Sequence, residues 1–153
     1  ASIALINAGG VQDPRIEALV LLAAHVFNED IAIKSIKEAK IAFKIGGLRE
    51  KLAKYHGTNV DCAFWGWNDI WLAPEFKEWN IENYLANIIV PSLVVQGKDD
   101  QYGTSAQVNA IQMGIGPEAK VEIIPNCGHS PQIEQKDVTL EVITRFIETL
   151  SNN

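Results

Sequence analysis

The residues of this chain best suited to chemistry are a pair of carboxylates and one imidazole, each set just beyond a short apolar run. The run PSLVVQG leads into KDDQYG, which puts Asp99 and Asp100 directly after it, and KVEIIP leads into NCGHSPQIEQ, which puts His129 in the equivalent place. If both runs are parallel strands, the two loops open at the carboxyl edge of one sheet, where open α/β sheets bind their ligands. A carboxylate beside an imidazole holds the ring in one tautomer and stabilises the imidazolium formed when the ring takes a nucleophile's proton. Taken singly, both features are ordinary, since acidic pairs are common turn formers and a lone GH dipeptide is most often a loop histidine. Their order along the chain, and the elements around them, give them weight.

Those elements are legible in outline. Residues 16–24 (IEALVLLAA, after Pro14), 91–97 and 120–125 are continuously apolar rather than alternating, the pattern of strands covered on both faces in a parallel sheet. Between the last two, Thr104 or Ser105 can cap a helix that carries Val108, Ile111 and Gln112 and ends at Gly114, completing a βαβ crossover. The segment KDVTLEVITRFIETL spaces Val138, Val142, Phe146 and Leu150 four apart, which predicts a helix lying over one sheet face. The opening SIALINAGG predicts the end of another helix, closed by Gly9. Residues 28–87 break the rhythm, with no strand-like run and three helical segments: IAIKSIKEAKIAFKI capped by Asp30 and ended by Gly46 and Gly47, then LREKLAKYH, then VDCAFWGWNDIW. Trp65, Trp67, Trp71 and Trp79 all fall there. The expected division is a sheet core of residues 1–27 and 88–153 with a helical insertion at 28–87.

A strand ending in GxxD, then a helix, then a strand running into GH, then a final helix, resembles the C-terminal half of an α/β-hydrolase, where chain order is nucleophile, acid, histidine. GKDDQYGT and CGHSPQIEQ match that family's two C-terminal motifs, and WGWNDIWL and WNIENYL are similar to the helical cap such enzymes insert. The resemblance covers essentially the whole chain. It implies a partial α/β-hydrolase fold, parallel strands flanked by helices with an all-helical cap. Counted from Gly97, it makes Asp100 the catalytic acid, with Asp99 its neighbour, and His129 the general base. The family's nucleophile sits in a GxSxG elbow between a strand and a helix, and no GxSxG occurs here. Ser130 in GHSPQ directly follows the proposed base, and Ser2 and Cys127 lack the glycine pattern, so these three read as structural.

ASIALINAGG resembles the helix that follows the elbow, so the nucleophile is expected upstream of Ala1, with the first strands and the oxyanion donors. Loss of one such donor typically costs about 100-fold to 1000-fold, and the 153 residues alone are expected to be inactive. The strand at 16–24 would then need a partner, either the N-terminal half of the same fold or a second chain, because a long apolar edge promotes aggregation.

Other side chains carry weaker expectations. Phe64, Trp67 and Trp71 share one helical face and could roof a substrate pocket, although stripes at that spacing are most often core; His25, where the first strand meets the insertion, could line the same pocket or be structural. Asn68 and Asp69 are expected to face water, Lys34, Lys37, Lys40 and Lys44 with Glu38 to form a solvated face, and His56 at a helix end has no expected catalytic role. The formal charge of -6, from 19 acidic and 13 basic side chains with no basic stripe, excludes nucleic acid as a natural partner. Two cysteines without a CxxC spacing suggest neither a disulfide framework nor a zinc site, and mildly favour the cytoplasm. No apolar run is long enough to span a membrane. No cofactor or metal is implied. The resemblance implies a serine hydrolase of esters or related small acyl substrates; a non-catalytic binding module that keeps the fold without an elbow stays open beside it.

Overall fold

The three apolar runs become the strands Leu19–Leu22 (β1), Ser92–Gly97 (β2) and Ala119–Ile124 (β3), paired in parallel in the order β1-β2-β3. The structure is a computed structural model that describes residues 1–151. Its helices are Ser2–Ile6 (α1), Asp30–Ile45 (α2), Leu48–His56 (α3), Val60–Trp71 (α4), Ser105–Ile115 (α5), Pro131–Glu134 (α6) and Lys136–Ser151 (α7). Ala1–Phe27 and the chain from Asn80 onward form one compact unit, and Asn28–Trp79 form another. Residues 80–87, read from the sequence with the insertion, thus group with the sheet.

In the first unit β2 is the central strand and every one of its residues is buried. Leu93 and Val95 pack with Ile124, Cys127, Val142 and Phe146 on the α7 side. α5 also packs on β2 and β3, burying Val108, Ile111 and Ile115. Full burial of each such side chain is worth roughly 1.5–3 kcal/mol. Coverage of both faces holds for β2 but not for β3, where only Ala119 and Ile124 are buried. β3 is an edge strand, and its Lys120 and Glu122 are charges that could not be buried unpaired. β1 is also shorter than the run that predicted it. Its register opens with Leu19 opposite Ser92, so residues 16–18 have no strand beside them among the described residues, and Ala23, at a φ of 46°, turns the chain away after a last bond from its N–H to the Val95 carbonyl.

Two expected helix stops are close approaches instead. Gly9 lies inside a π turn, Asn7–Val11, that follows α1 and is closed by the left-handed Gln12. A Cβ there would collide with the Tyr84 carbonyl. Gly114 lies within α5, where a Cβ would press on the Leu85 side chain; Gly116, at a φ of 82°, follows the helix end. Thr104 is the N-cap, its hydroxyl accepting from the Ala106 N–H at 3.1 Å, and Gln112 is exposed. The buried glutamine of α5 is Gln107, whose Oε1 accepts from the Val26 N–H at 2.8 Å and whose Nε2 donates to the Phe27 carbonyl at 3.0 Å. No helix among the described residues is long and apolar enough to cross a membrane.

The second unit holds α2, α3 and α4, as the sequence predicts, around Ala39, Phe43, Val60 and Phe64. Phe43 and Phe64 stack with centroids 3.8 Å apart. Asp30 is the first residue of α2 rather than its cap; Glu29 holds the cap position without a capping bond from its side chain. Asn68 does not face water: it is fully buried and its Nδ2 donates to the Ile36 carbonyl at 3.0 Å. The reason is helical geometry, because Asn68 lies four residues after Phe64 and so on the same face. Asp69 is exposed and pairs with Lys40 at 3.2 Å, and the ammonium groups of Lys40 and Lys44 lie 5.3 and 5.8 Å from the Trp65 ring centre.

Candidate active site

The site is built where β2 and β3 end. At Gly97 a Cβ would collide with the carbonyls of Cys127 and Gly128, so only glycine lets the two strand exits close together. They are then joined by backbone bonds, Lys98 N–H to the Ile124 carbonyl at 2.8 Å and Asp99 N–H to the Cys127 carbonyl at 2.9 Å. The following turn, Asp100 N–H to the Gly97 carbonyl at 3.3 Å, leaves Asp99 exposed and Asp100 buried.

The Asp100 side chain is 1% exposed and surrounded by donors. Its Oδ1 accepts from the N–H groups of Tyr102 at 2.8 Å and Gly103 at 3.3 Å, and its Oδ2 from Nε2 of Gln96 at 3.3 Å. Nδ1 of His129 lies 3.0 Å from both carboxylate oxygens. Burial alone pushes this carboxyl up; the hydrogen bond and charge of His129, with the Tyr102 and Gly103 N–H groups, outweigh it and hold the carboxyl below the usual carboxylate range. An ionised carboxylate only accepts, so Nδ1 carries the hydrogen.

His129 itself is 34% exposed. The Tyr102 ring lies against it with centroids 4.9 Å apart, and the His25 ring approaches at 5.6 Å. His25 follows the turn at Ala23, and its carbonyl accepts from the Ser2 hydroxyl at 2.7 Å. The loop bearing His129 is tied from below by Glu134, whose carboxylate accepts from the N–H groups of Gly128 and Ser130, and by Nε2 of Gln135, which donates to the Asn126 carbonyl at 2.8 Å. Cys127 is buried, and burial, then the charges of Glu134, Asp100 and Asp99, push its thiol up. Ser130 precedes the four-residue α6.

The structure thus brings Asp100, His129 and His25 together in one unit. Phe64, Trp67 and Trp71 belong to the other. There Phe64 is committed to the stack with Phe43, Trp67 is half-buried and meets Phe64 edge-on at 5.7 Å, and Trp71 packs on Phe76 and Trp79 at 5.0 and 5.5 Å. Gln96, Tyr102 and Glu134 were not singled out from the sequence. Gln96 had a signal, as the one amide in an otherwise apolar run; Glu134 and Tyr102 had none, since each acts through a loop conformation. Among the described residues no group of three or more His, Cys, Asp or Glu side chains is arranged to hold a metal ion.

A short parallel sheet between helices, with an acid and a histidine on adjacent strand exits, defines the fold as that of the α/β-hydrolases. The comparisons are specific on this point. The chain superposes on a serine hydrolase involved in carbazole degradation with a TM-score of 0.68 and 20% identity, over 95% of this chain and 59% of that one. MGS-M2, an α/β-hydrolase enzyme from a Medee basin deep-sea metagenome library, gives 0.64 and 19%, over 96% and 61%. By sequence the chain is similar to a proline iminopeptidase of Saccharolobus solfataricus, 31% identical over 83 residues, 54% of this chain and 26% of that protein. A proline iminopeptidase of Heyndrickxia coagulans is 22% identical over 103 residues, 67% and 35% respectively. The chain therefore spans about a third or less of the length of these curated relatives. No protein-family model matches it.

Proposed function

We propose that this chain carries the acid and the base of a serine hydrolase acting on esters or related small acyl compounds, with the nucleophile supplied by a GxSxG elbow N-terminal to Ala1. The observation that carries the reading is the bond from Nδ1 of a part-exposed His129 to both oxygens of a buried Asp100. With Nδ1–H held by Asp100, Nε2 across the ring is the basic nitrogen. It takes the serine proton as the hydroxyl oxygen attacks the acyl carbon, and gives that proton to the leaving group as the bond to it breaks. Water, deprotonated by the same nitrogen, then releases the acyl group from the serine. Asp100 stays ionised throughout and stabilises the imidazolium.

His25, whose ring approaches that of His129, is assigned to substrate contact in this reading. The names of the curated relatives extend the acyl class to amides of proline. In this reading β1 takes its partner strand from the N-terminal half of the same fold or from a second chain, and the cytoplasm is the compartment that suits the free thiols Cys62 and Cys127.

The test is labelling by a fluorophosphonate of the polypeptide that includes the upstream segment. Rapid labelling, lost in His129→Ala and absent from the 153 residues alone, is expected. An upstream segment without an elbow, or labelling indifferent to His129, would overturn the reading.

A further inference from the structure

We infer that Glu134 is a positioning residue for His129. Resting on the reading of His129 as the base, the inference adds a residue that holds this ring against Asp100 without touching either. One Glu134 carboxylate accepts two backbone hydrogen bonds, from Gly128 N–H to Oε2 at 2.8 Å and from Ser130 N–H to Oε1 at 2.9 Å. These are the two amides that flank His129 in sequence. The Ser130 N–H lies in the peptide plane that directly follows the His129 Cα, and the Gly128 N–H in the plane one residue before the one that precedes it. A single carboxylate thus pins the backbone on both sides of His129, and with it the direction in which the side chain leaves the loop.

The carboxylate is itself fixed from the same loop. The N–H groups of Ile133 and Glu134 donate to the Ser130 carbonyl at 2.8 and 2.9 Å, closing α6 onto the residue after His129. A Cβ at Gly128 would come within 3.0 Å of Glu134 Oε2, so the glycine of the GH pair also makes room for this carboxylate. Hydrogen bonds to a carboxylate are shorter and stronger than neutral ones, which suits a clamp whose acceptor is exposed while the loop it holds is half-buried. Because the acceptor is exposed, water can take over the two amides when the carboxylate is removed. Global stability then changes little while the pose of His129 loosens, and this separates a positioning role from a structural one.

The experiment compares the 153-residue chain with Glu134→Ala and Glu134→Gln, labelled with ¹⁵N-histidine, by solvent exchange of the His129 Nδ1 proton and by thermal unfolding. Wild type is expected to give a slowly exchanging Nδ1–H resonance. Exchange should be at least about tenfold faster in Glu134→Ala, with an intermediate rate in Glu134→Gln, which keeps one acceptor oxygen. Unfolding midpoints should stay within a few degrees, roughly the shift that a loss of under 1 kcal/mol gives. Unchanged exchange in both variants would overturn the proposal, and so would a rise in exchange matched by an equal loss of global stability. If wild type lacked the protected proton, the Asp100–His129 pair itself would fall, an outcome distinct from a failure of the clamp.

Discussion

Burying an ionised carboxylate costs several kcal/mol unless donors replace the lost water, and Asp100 has four: Tyr102 N–H, Gly103 N–H, Gln96 Nε2 and His129 Nδ1. In Asp100→Asn an amide nitrogen must face at least one of these donors, and the chain should lose about 1–3 kcal/mol of stability at pH 7. The pH dependence has a definite sign. The folded carboxyl lies below its unfolded value, so its stabilisation is fully present above about pH 4 and is lost as pH falls through the folded value. Urea unfolding should therefore separate wild type from Asp100→Asn at pH 7 and show the gap narrowing as the pH falls below about 4; a constant gap would contradict this account of Asp100. Cys127 makes a second prediction at this scale. It is 1% exposed and burial raises its thiol, whereas Cys62 is exposed. An aromatic disulfide reagent should titrate one thiol per native chain and two after denaturation, and two fast native thiols would refute the burial. The meeting of a carboxylate and His129 is legible because both follow strand exits; the choice of Asp100 over Asp99 rests on the family resemblance. Asn68 was misread because a polar residue was assigned to water, although its spacing from Phe64 placed it inside.

At the level of elements, the strands hold their neighbours through few but specific bonds. Gln107 of α5 is fully buried, and its amide satisfies the Val26 N–H and the Phe27 carbonyl, the last residues of the first unit before the chain leaves it. The return segment meets the same place, with Ile81 N–H donating to the Val26 carbonyl at 2.7 Å. Replacing Gln107 with Leu keeps the volume and strands two backbone groups, so it should cost about 2–4 kcal/mol in urea unfolding and raise amide exchange at Val26 selectively. A near-neutral result would mean that the segment finds other partners. The sequence displayed the three strands, the crossover helix and the three helices of the second unit, since each had its own period. Element ends were less legible. Gly9 and Gly114 read as helix stops because an isolated glycine usually ends a helix; here both are needed for contact with residues 84 and 85, which nothing local reveals. The extent of β1 was likewise set by where β2 begins rather than by its own apolar run.

For the molecule as a whole, the consequence of the fold is an exposed strand edge. Among the described residues β1 pairs with β2 alone, so its outer row of backbone groups faces no strand, and Val20 in its middle is 39% exposed. Such an edge can template pairing with another chain, and charge, shortness or a cover each weakens that tendency. β1 is short, with four residues, but it carries no charge. The 153 residues alone should therefore sediment as a dimer or larger species, and production together with the upstream segment should give a one-to-one complex instead. Val20→Lys places a charge on the edge and should shift the isolated chain toward monomer, while leaving its helical circular dichroism unchanged. A wild-type chain that stays monomeric and folded at concentrations of tens of micromolar would remove the case for a partner strand. It would leave the pair at Asp100 and His129 untouched, because that pair stands on the exits of β2, the central strand, and of β3 beyond it, and not on β1.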